Sequence, residues 1–297
     1  MDFLKKLFQR QVKIEKVDIR RRFELHGRVG QGSMSKVWRA TDTIGSRPVA
    51  LKVLDKPRLA RLDQRFQSLG MKRPVEGEIA LSLRHPNIVK TLEHGITTED
   101  EEYLVMEYIE GVTLSFLVES QNDRMKKNCL WYCIQLGDAI EAVHRAQYIH
   151  RDICPRNVIV TNDDEIKLID FGLVVPNTEP YRKPGNRTGT ANYMAPELIK
   201  RQATDERIDV FSYAVTCFEM YAKQLPWDSG DTLESIIQHI NNPPQDLDRL
   251  VPKIDQEVRD TIMKGLSRDP HDRCSTIREM VQALRAAATR LKAIPPK

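Results

Sequence analysis

The chain has 297 residues, 40% hydrophobic, 30% charged and 6% aromatic, with 46 basic against 42 acidic side chains and a formal net charge of +4. This length predicts one large domain or two packed lobes with a core that needs no staple, and the composition argues against a disordered, collagen-like or membrane-spanning chain. The charge balance is too mild for a nucleic-acid-binding protein, so no nucleic-acid partner is expected.

No run of 18 apolar residues and no signal-peptide core occurs. The five cysteines (Cys129, Cys133, Cys154, Cys217, Cys274) are odd in number and form no C-x-x-C. A disulfide framework or zinc site is therefore not expected, and a cytoplasmic, reducing location is. The positive charge is concentrated at the front. Residues 1–22 hold eight basic and three acidic side chains, a net +5, which leaves the remainder at −1.

In chain order, the leader begins Phe3-Leu4-Lys5-Lys6-Leu7-Phe8, a basic amphipathic pattern. It reads either as a helix for a membrane surface or a partner, or as a solvated, frayed tail. From Phe23 to about Tyr108 the runs at 23–32, 33–42, 48–55, 90–97 and 101–109 are β-rich and punctuated by Gly, Ser and Pro. One helical stretch interrupts them near 75–83, with Glu76, Ile79, Ala80 and Leu83 on a shared face.

After Gly111 long helices take over. Residues 125–146 align Leu130, Cys133, Ile134, Gly137, Ile140 and Val143 in one stripe. Residues 208–222 are apolar almost all round, the pattern of a buried helix, and Thr276 to Glu279 has capping-box spacing. A small β-rich lobe followed by a larger helical one is expected, with a ligand cleft at about 108–111.

Four motifs carry chemistry. Gly30-Gln31-Gly32-Ser33-Met34-Ser35-Lys36-Val37 lies between two strands, where glycines let backbone amides approach phosphate; an ordinary glycine hairpin is an equal reading. Val49-Ala50-Leu51-Lys52 puts a lysine in an apolar strand, where it must snorkel or find an anion. His150-Arg151-Asp152-Ile153-Cys154-Pro155-Arg156-Asn157 precedes a hairpin, and Asp170-Phe171-Gly172 follows it. Asn157 and Asp170 are oxygen ligands suited to Mg2+ beside phosphates, which leaves Asp152 to accept a proton from an attacking hydroxyl.

In this order the motifs resemble those of eukaryotic-type serine/threonine protein kinases, over residues 23 to about 290. The resemblance implies an α+β, two-lobed fold: an N-terminal five-stranded antiparallel sheet plus one helix, and a larger, mainly helical C-terminal lobe. The expected bounds are a leader at 1–22, a kinase domain at 23–290 (lobes 23–109 and 110–290) and a tail at 291–297. It implies an enzyme that moves the γ-phosphoryl of ATP, with Mg2+, to serine or threonine hydroxyls of a protein substrate. Asp152 resembles the catalytic base, and Asn157 and Asp170 the metal ligands. Gly30 and Gly32 belong to the phosphate-covering loop, and Lys52 pairs with a helix glutamate, Glu76 or, as runner-up, Glu78. Val37, Ala50 and Ile159 are similar to the residues enclosing adenine, Met106 to the gatekeeper, and Glu107 to Ile109 to the hinge. Glu197, Arg273 and Asp209 take architectural places, and Thr190 lies in the substrate-docking loop beside Asp152.

Three departures stand out. Cys154 replaces the lysine that such kinases carry two residues after the aspartate; Arg156, four residues after it, is expected to supply the missing cation. Cys154 itself reads as a small packed residue or a redox-sensitive thiol. Met34 and Ser35 replace an aromatic residue and the third loop glycine. Arg151 implies control by a phosphorylated activation segment, yet position 186 is Asn rather than Thr, which leaves Thr178, Tyr181 and Thr188 as hydroxyls. The competing function is a catalytically weak pseudokinase that scaffolds through bound nucleotide.

Overall fold

The computed structural model describes residues 16–31, 35–185, 188–227 and 241–293. Gly32 and most of the leader lie outside them. The chain divides into two compact units, Met1–Arg73 with Thr91–Tyr108, and Pro74–Lys90 with Ile109–Lys297.

The first unit is an antiparallel sheet of β1 (Phe23–Gln31), β2 (Ser35–Asp42), β3 (Arg47–Leu54), β4 (Thr91–Ile96) and β5 (Glu102–Glu107), in the order β1-β2-β3-β5-β4. Strand alternation sends Val49, Leu51 and Val53 to one face, where they join Phe23, Ala40, Tyr103 and Val105 in a buried core. Partners opposite one another in a ladder share a face. The pairs Gly30↔Val37, Val37↔Lys52, Ala50↔Met106 and Lys52↔Leu104 therefore bring the predicted Gly30, Val37, Ala50, Lys52 and Met106 to the opposite face.

Two features of this unit escape a periodicity reading. Helix α1 (Lys56–Ser68) buries only Leu59 and Phe66, so its apolar stripe is too thin to register. The available signal was its start, where the Asp55 carboxylate accepts the Arg58 N–H at 3.0 Å and Pro57 opens the first turn. Residues 16–22, grouped by sequence with the leader, belong to this unit, with Val17 and Ile19 packed against its core. Val17 bridges to Thr97, Lys16 pairs with Asp100 at 2.6 Å, and Asp18 caps a single turn, Ile19–Arg22. Arg22 then bonds Asp42 (3.1 Å) and Glu93 (2.6 Å), whose carboxylate also accepts the Tyr103 hydroxyl at 2.6 Å. Two of the leader's cations are thereby already neutralised.

The second unit begins with helix α2 (Glu76–Ser82), which sequence order had placed in the first lobe. Its tether is the turn after it. Leu168 N–H donates to the Asn87 carbonyl (2.8 Å), Val89 N–H to the Leu168 carbonyl (3.0 Å), and the Asn87 amide to Gln135 and the Ile166 carbonyl. Then come β6 (Gly111–Thr113), α3 (Leu114–Ser120), α4 (Asp123–Arg145) and β7 (Tyr148–Ile149). The hairpin β8 (Val158–Thr161) and β9 (Ile166–Leu168) pairs with β6, and β10 (Val175–Pro176) pairs with β7. Helices α5 (Arg207–Ala222), α6 (Gln256–Gly265) and α7 (Ile277–Arg290) complete the unit.

All six stripe residues predicted in α4 are buried. Helix α5 is buried on every side, and its Ser212 and Thr216 hydroxyls donate to carbonyls one turn back, which satisfies them inside the core. The α7 cap differs slightly from a capping box: Thr276 accepts from Glu279 N–H (3.2 Å), but Glu279 reaches back to Ser275 (2.8 Å) rather than to Thr276 itself. Among the described residues no helix is long and apolar enough to cross a membrane.

Candidate active site

The loop from His150 to Asn157 hangs from α5. Asp209, fully buried in the first turn of that helix, accepts the backbone N–H groups of His150 (2.7 Å) and Arg151 (2.8 Å) and meets His144 Nε2 at 2.8 Å. Burial alone would raise this carboxyl. The bond to His144 and the backbone donors outweigh it, and the group stays below the usual carboxylate range. His150 is also fully buried; burial outweighs the nearby aspartates and lowers its pKa, so the ring is neutral. Its Nδ1 then accepts Asp152 N–H at 3.3 Å, and its ring meets Phe171 edge-on at 5.5 Å.

Arg151 sits at φ +69, a strained conformation for a side chain of this size. Its carbonyl is approached by Gly189 at φ +130, where an added Cβ would lie 2.5 Å from the Arg151 oxygen. Only glycine permits that approach, and it delivers the next residue, Thr190, to Asp152.

Asp152 Oδ1 accepts both the Thr190 N–H (2.8 Å) and the Thr190 hydroxyl (2.7 Å). Its Oδ2 and its own carbonyl accept the Asn157 amide at 2.9 and 2.8 Å. A guanidinium N–H of Arg156 donates to the same Thr190 hydroxyl at 3.1 Å. The Thr190 hydroxyl thus links the Asp152 carboxylate to the Arg156 cation. The thiol at 154 is 3.9 Å from that hydroxyl, and burial pushes it up to about 11. A thiol held protonated is a poor nucleophile, so Cys154 is a packed residue and not a reactive one.

Asn157 spends its NH2 group on Asp152, which turns its amide oxygen the other way. Asp170 stands at φ +100, and its Oδ1 accepts Gly172 N–H at 3.2 Å. An added Cβ on Gly172 would stand 3.3 Å from both Asp170 Oδ1 and Glu76 Oε2, so Glu76 lies against this turn. Glu76 is buried and Glu78 exposed, which decides between them for the inward position on α2. Among the described residues no three His, Cys, Asp or Glu side chains form a metal cage. The oxygen pair Asn157 and Asp170 fits an ion that brings water and phosphate oxygens with it, as Mg2+ does.

On the first unit, Lys52 is 6% exposed, and Val37, Ala50 and Met106 are half-buried on the same sheet face. Glu107 closes β5 opposite Val49, and Arg39 covers the Tyr108 ring at 4.9 Å. On the second unit, Ile109 is half-buried, as is Ile159, between the fully buried Val158 and Val160. Ser35 starts β2 opposite Leu54.

Behind the site, Arg273 donates to both oxygens of Glu197 (2.7 and 2.8 Å) and to the carbonyls of Ser267, Arg207 and Arg268, which uses all five of its N–H groups. This pair anchors the far end of the segment after Asp170. Sequence reasoning missed the near-end contacts. Arg151 donates to the Tyr181 carbonyl at 2.6 Å, and Asn177, Arg182 and Glu206 bond one another. No spacing announces these, because the partners are 29 and 30 residues apart or lie on irregular backbone.

A paired loop and hairpin of this kind on a helical unit, in a chain that also carries a five-stranded antiparallel sheet, define a protein kinase. The family model of the protein kinase domain matches residues 23–285, and the chain belongs to that family. It is 30% identical over 266 residues to a probable serine/threonine-protein kinase of Clostridium perfringens, covering 88% of this chain and 37% of that protein. A probable serine/threonine-protein kinase of Streptomyces coelicolor is 33% identical over 265 residues (87% and 39%). The serine/threonine-protein kinase PrkC of Bacillus subtilis is 28% identical over 268 residues (90% and 40%). The chain therefore spans about two fifths of the length of these relatives.

Proposed function

We propose that this chain transfers the γ-phosphoryl group of ATP to serine or threonine hydroxyls of protein substrates. The observation that carries the reading is the contact of Asp152 with a threonine hydroxyl that Arg156 also holds. A substrate hydroxyl brought to the same carboxylate is oriented by it and gives up its proton to it. Arg156 supplies positive charge where such kinases place a lysine, and offsets charge that builds on the transferred group. Lys52 is assigned to the phosphates. Val37, Ala50, Met106, Ile109 and Ile159 are assigned to the adenine ring, with the backbone from Glu107 to Ile109 reading its edge. Asn157 and Asp170 would hold Mg2+, which when bound neutralises phosphate charge. Asn157 also fixes the Asp152 carboxylate, so the proton acceptor is positioned before any ligand arrives.

The scaffold alternative gains nothing from the geometry, and the bond of Arg156 to the Thr190 hydroxyl beside Asp152 supports a replacement cation. The buried thiols fit a reducing cytoplasm. A membrane-surface or partner contact through the leader rests on its amphipathic pattern and its charge, and sedimentation with anionic vesicles of chains with and without residues 1–15 tests it.

The decisive assay follows γ-phosphate from Mg-ATP to the chain or to a basic protein substrate, with Asp152→Asn in parallel. Transfer lost in the variant supports the reading; equal signals in both overturn it.

A further inference from the structure

The arginine before Asp152 is the residue through which a phosphate would order the activation segment. In this chain that arginine is already engaged, and the segment has other anchors. Arg151 is 3% exposed and donates to the Tyr181 backbone carbonyl at 2.6 Å, a partner that needs no modification. The segment leaves Phe171 as β10, which pairs with β7 (Val175↔Ile149, Pro176↔Tyr148), and Asn177 N–H donates to the Gln147 carbonyl at 2.8 Å. It then makes one helical turn, Glu179–Arg182.

At that turn three side chains close a ring. Arg182 Nε donates to Asn177 Oδ1 at 2.7 Å, Asn177 Nδ2 donates to Glu206 Oε2 at 2.8 Å, and Arg182 Nη2 lies 3.6 Å from the same Glu206 oxygen. Thr204 N–H adds a bond to the Arg182 carbonyl at 2.9 Å. Glu206 is the residue on which α5 starts, and Asp209, three residues on, holds the backbone of the catalytic loop. Segment and loop are therefore both referenced to one end of one buried helix.

We propose that the Asn177–Arg182–Glu206 clamp positions the activation segment in place of a phosphate, so that the unphosphorylated chain is competent for transfer. The three are positioning residues, acting on Asp152 through the segment that ends at Gly189 and Thr190. This rests on the kinase reading for its activity readout, but the clamp itself is a statement about the order of residues 175–185.

The test uses the full chain, dephosphorylated by a phosphatase and verified by mass spectrometry. Expected results are a transfer rate within twofold of the untreated protein, slow amide exchange across 175–185, and a loss of tenfold or more in kcat for Asn177→Ala or Arg182→Ala, with faster exchange confined to the segment. The swap Arg182→Glu with Glu206→Arg recovers both readouts, because Asn177 meets the reversed pair by turning its amide over. Recovery shows that the contact and not either side chain alone sets both readouts, and an unchanged Tm in the single variants separates positioning of the segment from a loss of global stability. Activity that disappears on phosphatase treatment overturns the clamp and leaves the kinase reading standing. Amides of 175–185 that exchange freely in the dephosphorylated chain overturn it whether or not the chain is active. Absent transfer with or without phosphatase counts against the kinase reading alone, since exchange still decides the clamp.

Discussion

Replacing Arg156 by alanine tests the least expected part of the proposed site, a cation placed four rather than two residues after Asp152. The guanidinium donates to the Thr190 hydroxyl at 3.1 Å, and that hydroxyl donates to Asp152 at 2.7 Å, so its charge lies within one side chain of the reacting centre. Two unit charges about 4 Å apart interact by about 1 kcal/mol in bulk water and about 4 kcal/mol at the effective dielectric of a protein surface. Arg156 is exposed, which places its contribution in the lower part of that range, at roughly 1.4–2.8 kcal/mol. Arg156→Ala should therefore slow kcat about tenfold to a hundredfold. The KM for ATP should hold and Tm should move by no more than an exposed substitution does. Adding Cys154→Lys in the same chain should recover about tenfold, because position 154 already lies beside Thr190 and a lysine there restores the missing charge. Steady-state phosphate transfer with purified protein measures both. Turnover unchanged in Arg156→Ala refutes the charge argument, and a slowed enzyme that Cys154→Lys does not recover refutes the assignment of the charge to this place.

Gly189→Ala forces a Cβ to 2.5 Å from the Arg151 carbonyl at φ +130 and should reduce transfer at least tenfold while far-ultraviolet circular dichroism is unchanged; full activity would show that Gly189 is not needed there. Arg273→Ala leaves Glu197 buried without its cation and should cost about 3–5 kcal/mol, a fall in Tm of roughly 10 °C by calorimetry. Arg273→Met with Glu197→Leu should regain most of that loss. His150 has a lowered folded-state pKa, so below the unfolded value near 6.5 the unfolded chain binds more protons and stability falls as pH drops. His85, lowered chiefly by burial, acts in the same direction. Tm should decline from pH 7 to pH 5.5, and less steeply in His150→Asn, whose side-chain oxygen replaces the Nδ1 acceptor; an equal slope would exclude His150 as a source. All five cysteines are buried, with Cys154 and Cys274 each pushed up to about 11. An aromatic disulfide reagent at pH 8 should therefore titrate none within minutes in the native chain and all five after denaturation.

Much of this protein is legible one residue at a time. The chemistry-bearing side chains are short polar motifs on loops, and the long helices announce themselves because a buried face must be apolar at a period of 3.6. What escaped has specific causes. Helix α1 was invisible because only two of its side chains, Leu59 and Phe66, are buried among mostly polar neighbours. The place of α2 in the second unit depends on Asn87 meeting Gln135 and Ile166, contacts across 48 and 79 residues that no local pattern encodes.

The sequence by itself determined the family, the order of the motifs and the side chains available for catalysis, since these depend on residue type and spacing. Only the tertiary structure decided which of them touch. It set the Arg156 guanidinium on the Thr190 hydroxyl with the Cys154 thiol beside it, turned Glu76 inward and left Glu78 in solvent, and closed Asn177, Arg182 and Glu206 into one ring. The physical reason is that hydrogen bonds between side chains require contact at about 3 Å. Distance along a chain fixes no such contact until the buried helix α5 brings its partners together.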